Sequence, residues 1–334
     1  MEKRLREAKP HCDEVFAGLN IFLIGDVRQL PPVGDSPLYS ARRVADVAAH
    51  GKMVYRTFNK SFILTVSQRQ ADVTFRDALD RLSVGTTTPA DYARFGERFK
   101  LNVPVAEREE FKDATRLYTT RDEVAAHNIK KLQELDSPVA RLPAKHNNAT
   151  AKRGSADDAA GLEPVVYLAK GARVMLRSNM WLETGLVNGA TGTVVDIVYQ
   201  PGRAQPEDLP AVVMVKFDNY TGPTVADGLV PVPTLVHTWD HEQVACSREQ
   251  VPLCLAWAVT VHKSQGLTLD RAVVSVGLRD FAVGLMYVAM SRVKSWEGLL
   301  IDPEFGLNRI LDIRNSPGFL AREAGERAIV RNSR

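Results

Sequence analysis

The sequence has no run of about 18 consecutive apolar residues, so it offers nothing that would cross a bilayer as a helix, and no membrane partner is expected. Its first residues, MEKRLREAKP, lack the apolar core of a secretory signal. Cysteine is scarce. Cys12, Cys246 and Cys254 are scattered, odd in number and without a CxxC pair, which fits a reducing compartment and argues against a disulfide framework. His237 and His241 stand four apart near Cys246. However, LVHTWDHEQV has neither a helical period nor HExxH, so they read as surface or packing histidines, and no metal site is expected. A strong charge of one sign is also missing. The net charge of +3 permits a polyanionic partner without demanding one. Finally, no G-x-x-x-x-G-K-S/T phosphate loop occurs: the Gly51-Lys52 pair is followed by Met53.

The composition that remains, 45% hydrophobic and 25% charged, is that of an ordinary globular chain whose 334 residues suggest two or three domains. Residues 1–20 read as a charged, partly helical lead-in. Short continuous apolar runs at 21–24, 61–66, 272–276 and 299–302 have the texture of strands buried on both faces. Between them lie helix-length segments at 72–84, 121–136 and 284–293, an alternation that predicts an α/β domain with a parallel sheet. Residues 137–163 are poor in large apolar side chains and read as a long mobile loop. From 164 to about 252 come short β-rich pieces separated by turn signals such as NGATG and DNYTG, which predict a small all-β barrel inserted in the α/β domain.

Four stretches carry candidate chemistry. In GDVRQLPPV (25–33) the expected strand delivers Gly25 and Asp26 to a sheet edge, and Gln29 follows in a turn stiffened by Pro31 and Pro32. An amide there can meet a terminal phosphate or its water; it can equally be a surface Gln in a strand-to-turn connection. In AWAVTVHKSQGLTLD (256–270), Thr260, His262, Lys263, Ser264 and Gln265 follow an apolar run and precede Gly266. Donors packed this densely suit phosphates or a nucleic-acid backbone; the alternative is an ordinarily capped helix start. In GLMYVAMSRVKSWEGLLI (284–301), Leu285, Val288 and Ala289 can form a buried helix face that ends at Arg292. Arg292 is either a phosphate clamp or a cap on the helix C-terminus. Arg69, in Ser67-Gln68-Arg69-Gln70, is a possible second phosphate ligand.

The order GDxxQLPPV, RQ, NGxxGxV, TVHKSQG and YVAxSRxKS resembles the petite-integration-frequency DNA helicases, the RecD-like 5′→3′ branch of superfamily 1, with helitron-transposon helicases as close relatives. The resemblance runs from about residue 1 to 312. It implies an ATP-dependent 5′→3′ DNA helicase of DNA repair, recombination or telomere maintenance. Such a helicase would be a monomer that uses ATP and Mg²⁺ on single-stranded DNA and duplex junctions. Its place would be the nucleus or mitochondrion of a eukaryote, or otherwise the cytoplasm. It implies RecA-like motor domains, with a remnant of the first at 1–59, the second at 60–163 and 252–315, the small β-barrel at 164–251, and a C-terminal tail at 316–334. By the same analogy Gln29, Arg69 and Arg292 would be the catalytic residues at the γ-phosphate. Gly25, Asp26, Gln265 and Gly266 would belong to the nucleotide side, and Thr260, His262 and Lys263 would lie along single-stranded DNA.

Three departures qualify the match. The phosphate loop is missing. So is the Mg²⁺-holding acidic pair, because Asp13-Glu14 follows Lys9-Pro10-His11-Cys12 and not a buried strand. Val27-Arg28 replaces the aromatic pair often seen before the Gln. The expectation is a motor truncated at its N-terminus and inactive alone. A non-catalytic single-stranded nucleic-acid binder and a decayed transposon helicase are the other readings.

Overall fold

The computed structural model describes residues 1–40, 46–58, 60–202, 208–277 and 283–332. Two compact units emerge: Met1–Lys112 with Ser264–Arg334, and Asp113–Lys263. These divisions fall at other places than the expected domain boundaries.

In the first unit, the apolar runs at 272–276 and 299–302 form the parallel pair Ala272–Ser275 and Leu299–Ile301, with Val273 opposite Leu300. Both strands are buried along their whole length, as their unbroken apolar texture requires. Helix Val73–Ser83 starts where the Asp72 carboxylate accepts from the Thr74 and Phe75 amides at 2.8 and 3.1 Å, and it buries Phe75, Ala78, Leu79 and Leu82. Helix Pro89–Glu97 opens with a capping box between Thr88 and Asp91 and with Pro89 in the first turn. Arg81 then grips Asp91 through two bonds of 2.7 and 2.6 Å, fixing one helix to the other. Trp296 packs against Phe75 and Phe95, at ring separations of 4.8 and 5.1 Å, and closes this core. Helix Leu285–Met290 is buried on nearly every side, so Leu285, Val288 and Ala289 do face inward.

One expectation fails in this unit. The runs 21–24 and 61–66 are not strands, and Phe22, Ile24, Phe62 and Leu64 are exposed. A strand needs a neighbour to satisfy its N–H and C=O groups, and among the described residues none pairs with either run. Apolar texture alone does not hold a pleat. Helix Pro317–Asn332 occupies most of the C-terminal tail expected at 316–334.

In the second unit, strand Thr115–Tyr118 runs parallel to Ala258–Thr260, with Leu117 opposite Val259. Helix Arg121–Gln133, opened by a Thr120–Glu123 capping box, covers the pair. Its buried Asn128 donates to Ala258 O at 3.0 Å and accepts from Ala258 N at 2.8 Å, so one amide docks the helix on the strand. Four strands of the β-rich insertion, with Leu253–Leu255 just beyond it, form a five-stranded antiparallel sheet in the order Leu253–Leu255, Arg173–Leu176, Thr191–Val198, Val212–Phe217, Val230–Pro233. A β-carbon on Gly192, the second residue of strand Thr191–Val198, would stand 2.7 Å from Lys216 O, which is why the NGATG turn runs into the strand on glycine. Val174, Leu176, Val194, Val213, Val215, Val232 and Leu253 form its core.

The reading of 137–163 as a loop is overturned. Ala140–Pro143 pairs antiparallel with Val165–Leu168, Lys145–His146 pairs with the hairpin strand Val244–Gln250, and Ala149–Arg153 is helical. Polar anchors order this segment in place of large apolar ones. The fully buried Arg248 guanidinium donates to the carbonyls of Ser155, Leu162, Ala151 and Gly154 at 3.1, 2.9, 3.2 and 2.6 Å. It also donates to His146 Nε2 at 3.0 Å, which needs that ring neutral. Burial, then the nearby Arg248 charge, hold the His146 pKa below its ordinary value, consistent with a neutral ring. Gln250, equally buried, donates to Leu142 O at 3.0 Å.

Candidate functional site

The predicted residues separate cleanly between the two units. In the first unit the turn at 25–33 is built on Asp26. Its carboxylate accepts from the Arg28 amide at 2.8 Å and from the Gln29 side chain at 3.0 Å, and Gln29 N bonds Asp26 O at 3.2 Å. The remaining face of the Gln29 amide accepts from Gln265 Nε2 at 3.2 Å. The two glutamines, one from each of two separate motifs, thus meet directly. Gly266, just after, has φ +86° and open space around it, the left-handed conformation that reverses the chain after Gln265.

Arg292 is 2% exposed. Its Nε donates to Val288 O at 2.7 Å, Nη2 to Ser291 Oγ at 2.7 Å and Nη1 to Ser264 O at 3.4 Å. The bond to Val288 O, four residues back, is a cap on the helix end, so that plainer reading holds in part. Burial, then repulsion from Arg69, lowers the Arg292 pKa to about 10, which still leaves it charged at neutral pH. Arg69, half-buried, donates to Thr268 Oγ1 at 3.0 Å and to Ser291 O at 3.1 Å. No ion pair with a carboxylate holds either arginine among the described residues. Two cations, one buried and one half-buried, are thus brought near one another, an arrangement that favours an anion.

Three further positions of this unit lie inside the quoted motifs but were not singled out as site residues. Gln70 is buried and donates to Ser291 O and Val293 O, both at 3.0 Å, so it pins the Arg69 segment to the end of the Arg292 helix. Gly284, at φ +87°, lets Arg28 O approach to 2.6 Å of where a β-carbon would stand, bringing the 25–33 turn against helix Leu285–Met290. Tyr287 is largely buried, and burial, then the Asp26 charge, raise its pKa. All three had a signal in the quoted stretches: Gln70 is the second residue of RQ, Gly284 heads GLMYVAMSRVKSWEGLLI and Tyr287 opens YVAxSRxKS.

In the second unit Thr260 ends the strand Ala258–Thr260, and its Oγ1 accepts from the Lys263 amide at 3.3 Å. That bond turns the chain sharply and leaves the Lys263 side chain exposed with His262 half-buried beside it. Packing around the ammonium, then repulsion from Arg177 and Arg121, holds the Lys263 pKa below its ordinary value. Burial likewise lowers that of His262. Lys263, Arg177 and Arg121 make this a positive locality, although Glu163 and the exposed pair Arg121–Asp157 temper it. Arg177 is buried, donates to Gly161 O at 3.2 Å and was not singled out by any motif.

No family model matches the chain. Its sequence is 34% identical over 296 residues to the human protein "ATP-dependent DNA helicase PIF1", covering 86% of this chain and 41% of that protein. The zebrafish (Danio rerio) protein of the same description is 32% identical over 295 residues, again covering 86% and 41%. The chain belongs to the PIF1-like helicase family. A more distant PIF1-like relative, the Saccharomyces cerevisiae protein "ATP-dependent DNA helicase RRM3", is 26% identical over 348 residues, covering 86% of this chain and 47% of that one. The chain spans about two fifths of the length of the first two. Among solved PIF1-like structures, Pif1 helicase from Candida albicans superposes with TM-score 0.71 at 25% identity, covering 98% of this chain and 73% of that one. Bacteroides Pif1 bound to ssDNA superposes with TM-score 0.64 at 23% identity, covering 98% and 70%, and supports the fold. The α/β architecture expected from the sequence is therefore the one found. Among the described residues no helix is long and apolar enough to cross a membrane.

Proposed function

We propose that the chain is a portion of an ATP-dependent 5′→3′ DNA helicase motor, in which the first unit carries the residues that meet the terminal phosphate of ATP and the second carries part of the single-stranded DNA track. The observation that supports this most strongly is Arg292. A 2% exposed guanidinium beside a second arginine, with no carboxylate partner among the described residues, is costly to fold unless an anion uses it. Bound ATP would supply a phosphoryl group whose charge spreads over its outer oxygens during transfer. Arg292 and Arg69 would stabilise that charge, while Gln29, oriented by Asp26 and Gln265, would hold the attacking water. A binder that had abandoned hydrolysis would have no need of these groups, which favours the motor over a purely nucleic-acid-binding role.

The fit to ATP is confined to its terminal phosphate. No phosphate loop lies in the sequence, and among the described residues no group of three acidic, histidine or cysteine side chains is placed to hold a metal ion. No step through Mg²⁺ is assigned to these residues. Thr260, His262 and Lys263 would follow the nucleic-acid backbone, with Arg177 reinforcing the local charge. The domain reading stays as proposed: first-motor-domain sequence at 1–59, second at 60–163 and 252–315, barrel at 164–251. In the relatives' setting this implies a monomeric, nuclear, mitochondrial or cytoplasmic enzyme acting on single strands and duplex junctions. The test is DNA-stimulated phosphate release by the purified chain, which should stay at background because the sequence has no phosphate loop to cradle the inner phosphates. Clear turnover that Arg292→Ala abolishes would show that another nucleotide site exists.

A further inference from the structure

The departure Val27-Arg28, where relatives of this type often carry an aromatic pair, has a partner in the fold. Arg28 Nε and Nη2 donate to Glu326 Oε1, on helix Pro317–Asn332, at 2.9 and 2.6 Å. One turn earlier on the same helix, Arg322 is 1% exposed and lies 4.7 Å above the Phe319 ring. Its Nη1 donates to Arg28 O at 3.3 Å and its Nη2 to Ser83 O, at the end of helix Val73–Ser83. Gly325 lets the helix approach until a β-carbon there would stand 2.5 Å from Tyr39 Cβ. The backbone of Arg28 is therefore held by the helix through Arg322 and by the close passage of Gly284.

We propose that helix Pro317–Asn332 is a latch on the Gln29 turn, with Glu326 and Arg322 as positioning residues. It rests on the reading that Gln29 meets the terminal phosphate. Arg28 and Gln29 are adjacent, so whatever fixes the Arg28 carbonyl and guanidinium also fixes the plane from which Gln29 projects. Arg322 Nε and Glu326 Oε2 are buried without a hydrogen-bond partner among the described residues, so the closed contact leaves polar groups unsatisfied. Letting water reach them offsets part of what is lost when the Arg28–Glu326 pair separates.

The experiment is amide hydrogen exchange on the full chain without nucleotide, read over residues 26–30. There the Arg28 and Gln29 amides are bonded to Asp26. Glu326→Ala and Arg28→Ala should each speed exchange there about two- to fivefold, as expected for losing a partly exposed ion pair, while the amides of Val73–Ser83 stay protected. The charge-reversed double variant Arg28→Glu with Glu326→Arg should restore slow exchange. Unchanged exchange in Glu326→Ala, or a double variant as loose as the singles, would overturn the latch. Arg322→Ala risks unfolding the unit and is replaced by Arg322→Lys, which keeps charge but loses the two-carbonyl fork and should loosen the same residues. Because no nucleotide is present, failure of the phosphate reading would leave these results intact; that failure would appear instead as full hydrolysis after Gln29→Ala in a complete motor.

Discussion

Replacing Arg248 by Met tests whether a single buried guanidinium orders residues 140–163. The methionine keeps the aliphatic bulk and removes all five hydrogen bonds, four to carbonyls and one to His146. A buried acceptor left without a donor costs about 1–3 kcal/mol, and at least the carbonyls of Leu162 and Ala151 are buried at these contacts. Against this, the variant no longer has to desolvate a charge. Neighbouring losses are not additive, and some carbonyls will recover water, so the net effect should be about 3–5 kcal/mol. The loss should fall on the segment first, because the five-stranded sheet has its own core of Val174, Val194, Val213, Val215 and Leu253. Urea unfolding followed by circular dichroism gives the global cost, and hydrogen exchange over 140–163 gives the local one. Arg248→Lys, with three donors and no planar fork, should fall between wild type and Met. If Arg248→Met leaves both the urea midpoint and exchange over 140–163 unchanged, polar anchoring is not what orders the segment.

Binding of oligo(dT) to the purified chain should be weak and should fall steeply with salt, and Lys263→Ala should lower the salt slope by about 1 without altering sequence preference; an unchanged slope removes Lys263 from the DNA track. Gly284→Ala combines a strained φ of +87° with a clash at 2.6 Å, whereas Gly266→Ala has φ +86° and open space. The first should therefore lower thermal stability clearly more than the second, for which backbone strain of about 1–3 kcal/mol is the whole cost; equal losses would deny the close approach. The Arg81 bond, opposed by burial and aided by Thr88, takes the Asp91 pKa from 3.8 to about 2. A depressed carboxylate stabilises the fold above its unfolded pKa and loses that contribution as pH falls from about 4 to about 2, so Asp91→Asn should cost about 1–2 kcal/mol at pH 7 and almost nothing near pH 2.

What the sequence made legible was local and ordered. The helices at 73–83, 121–133 and 285–290 follow from capping residues and apolar spacing, and the strands at 272–275 and 299–301 from unbroken apolar texture. Gln29 and Gln265, 236 residues apart, were singled out separately because each lies in a dense motif, and the fold brings them together. The same texture misled at 21–24 and 61–66, because a strand is a property of a pair and a single run carries no information about its neighbour. Residues 137–163 were misread because their anchors lie far along the chain: Arg248 reaches back 97 residues to Ala151. Such side chain to carbonyl contacts leave no periodicity. The C-terminal helix did leave a signal, since Pro317 stands in its first turn, but a mixed and weakly apolar sequence after it concealed the rest.

The central claim is that Arg292 serves a terminal phosphate and not the nucleic acid. It is tested most directly by placing the first-domain segment of a PIF1-like helicase, phosphate loop included, ahead of residue 1 and measuring ATP hydrolysis together with nucleotide-free DNA affinity. The buried guanidinium should be worth about 10³-fold or more in hydrolysis, as arginines in this role are. Arg292→Lys should fail nearly as badly as Arg292→Ala, because a lysine cannot reproduce the planar fork that bonds Val288 O, Ser291 Oγ and Ser264 O. DNA affinity should be unchanged in both variants. Hydrolysis that survives while DNA binding collapses would contradict the account and move Arg292 to the DNA track.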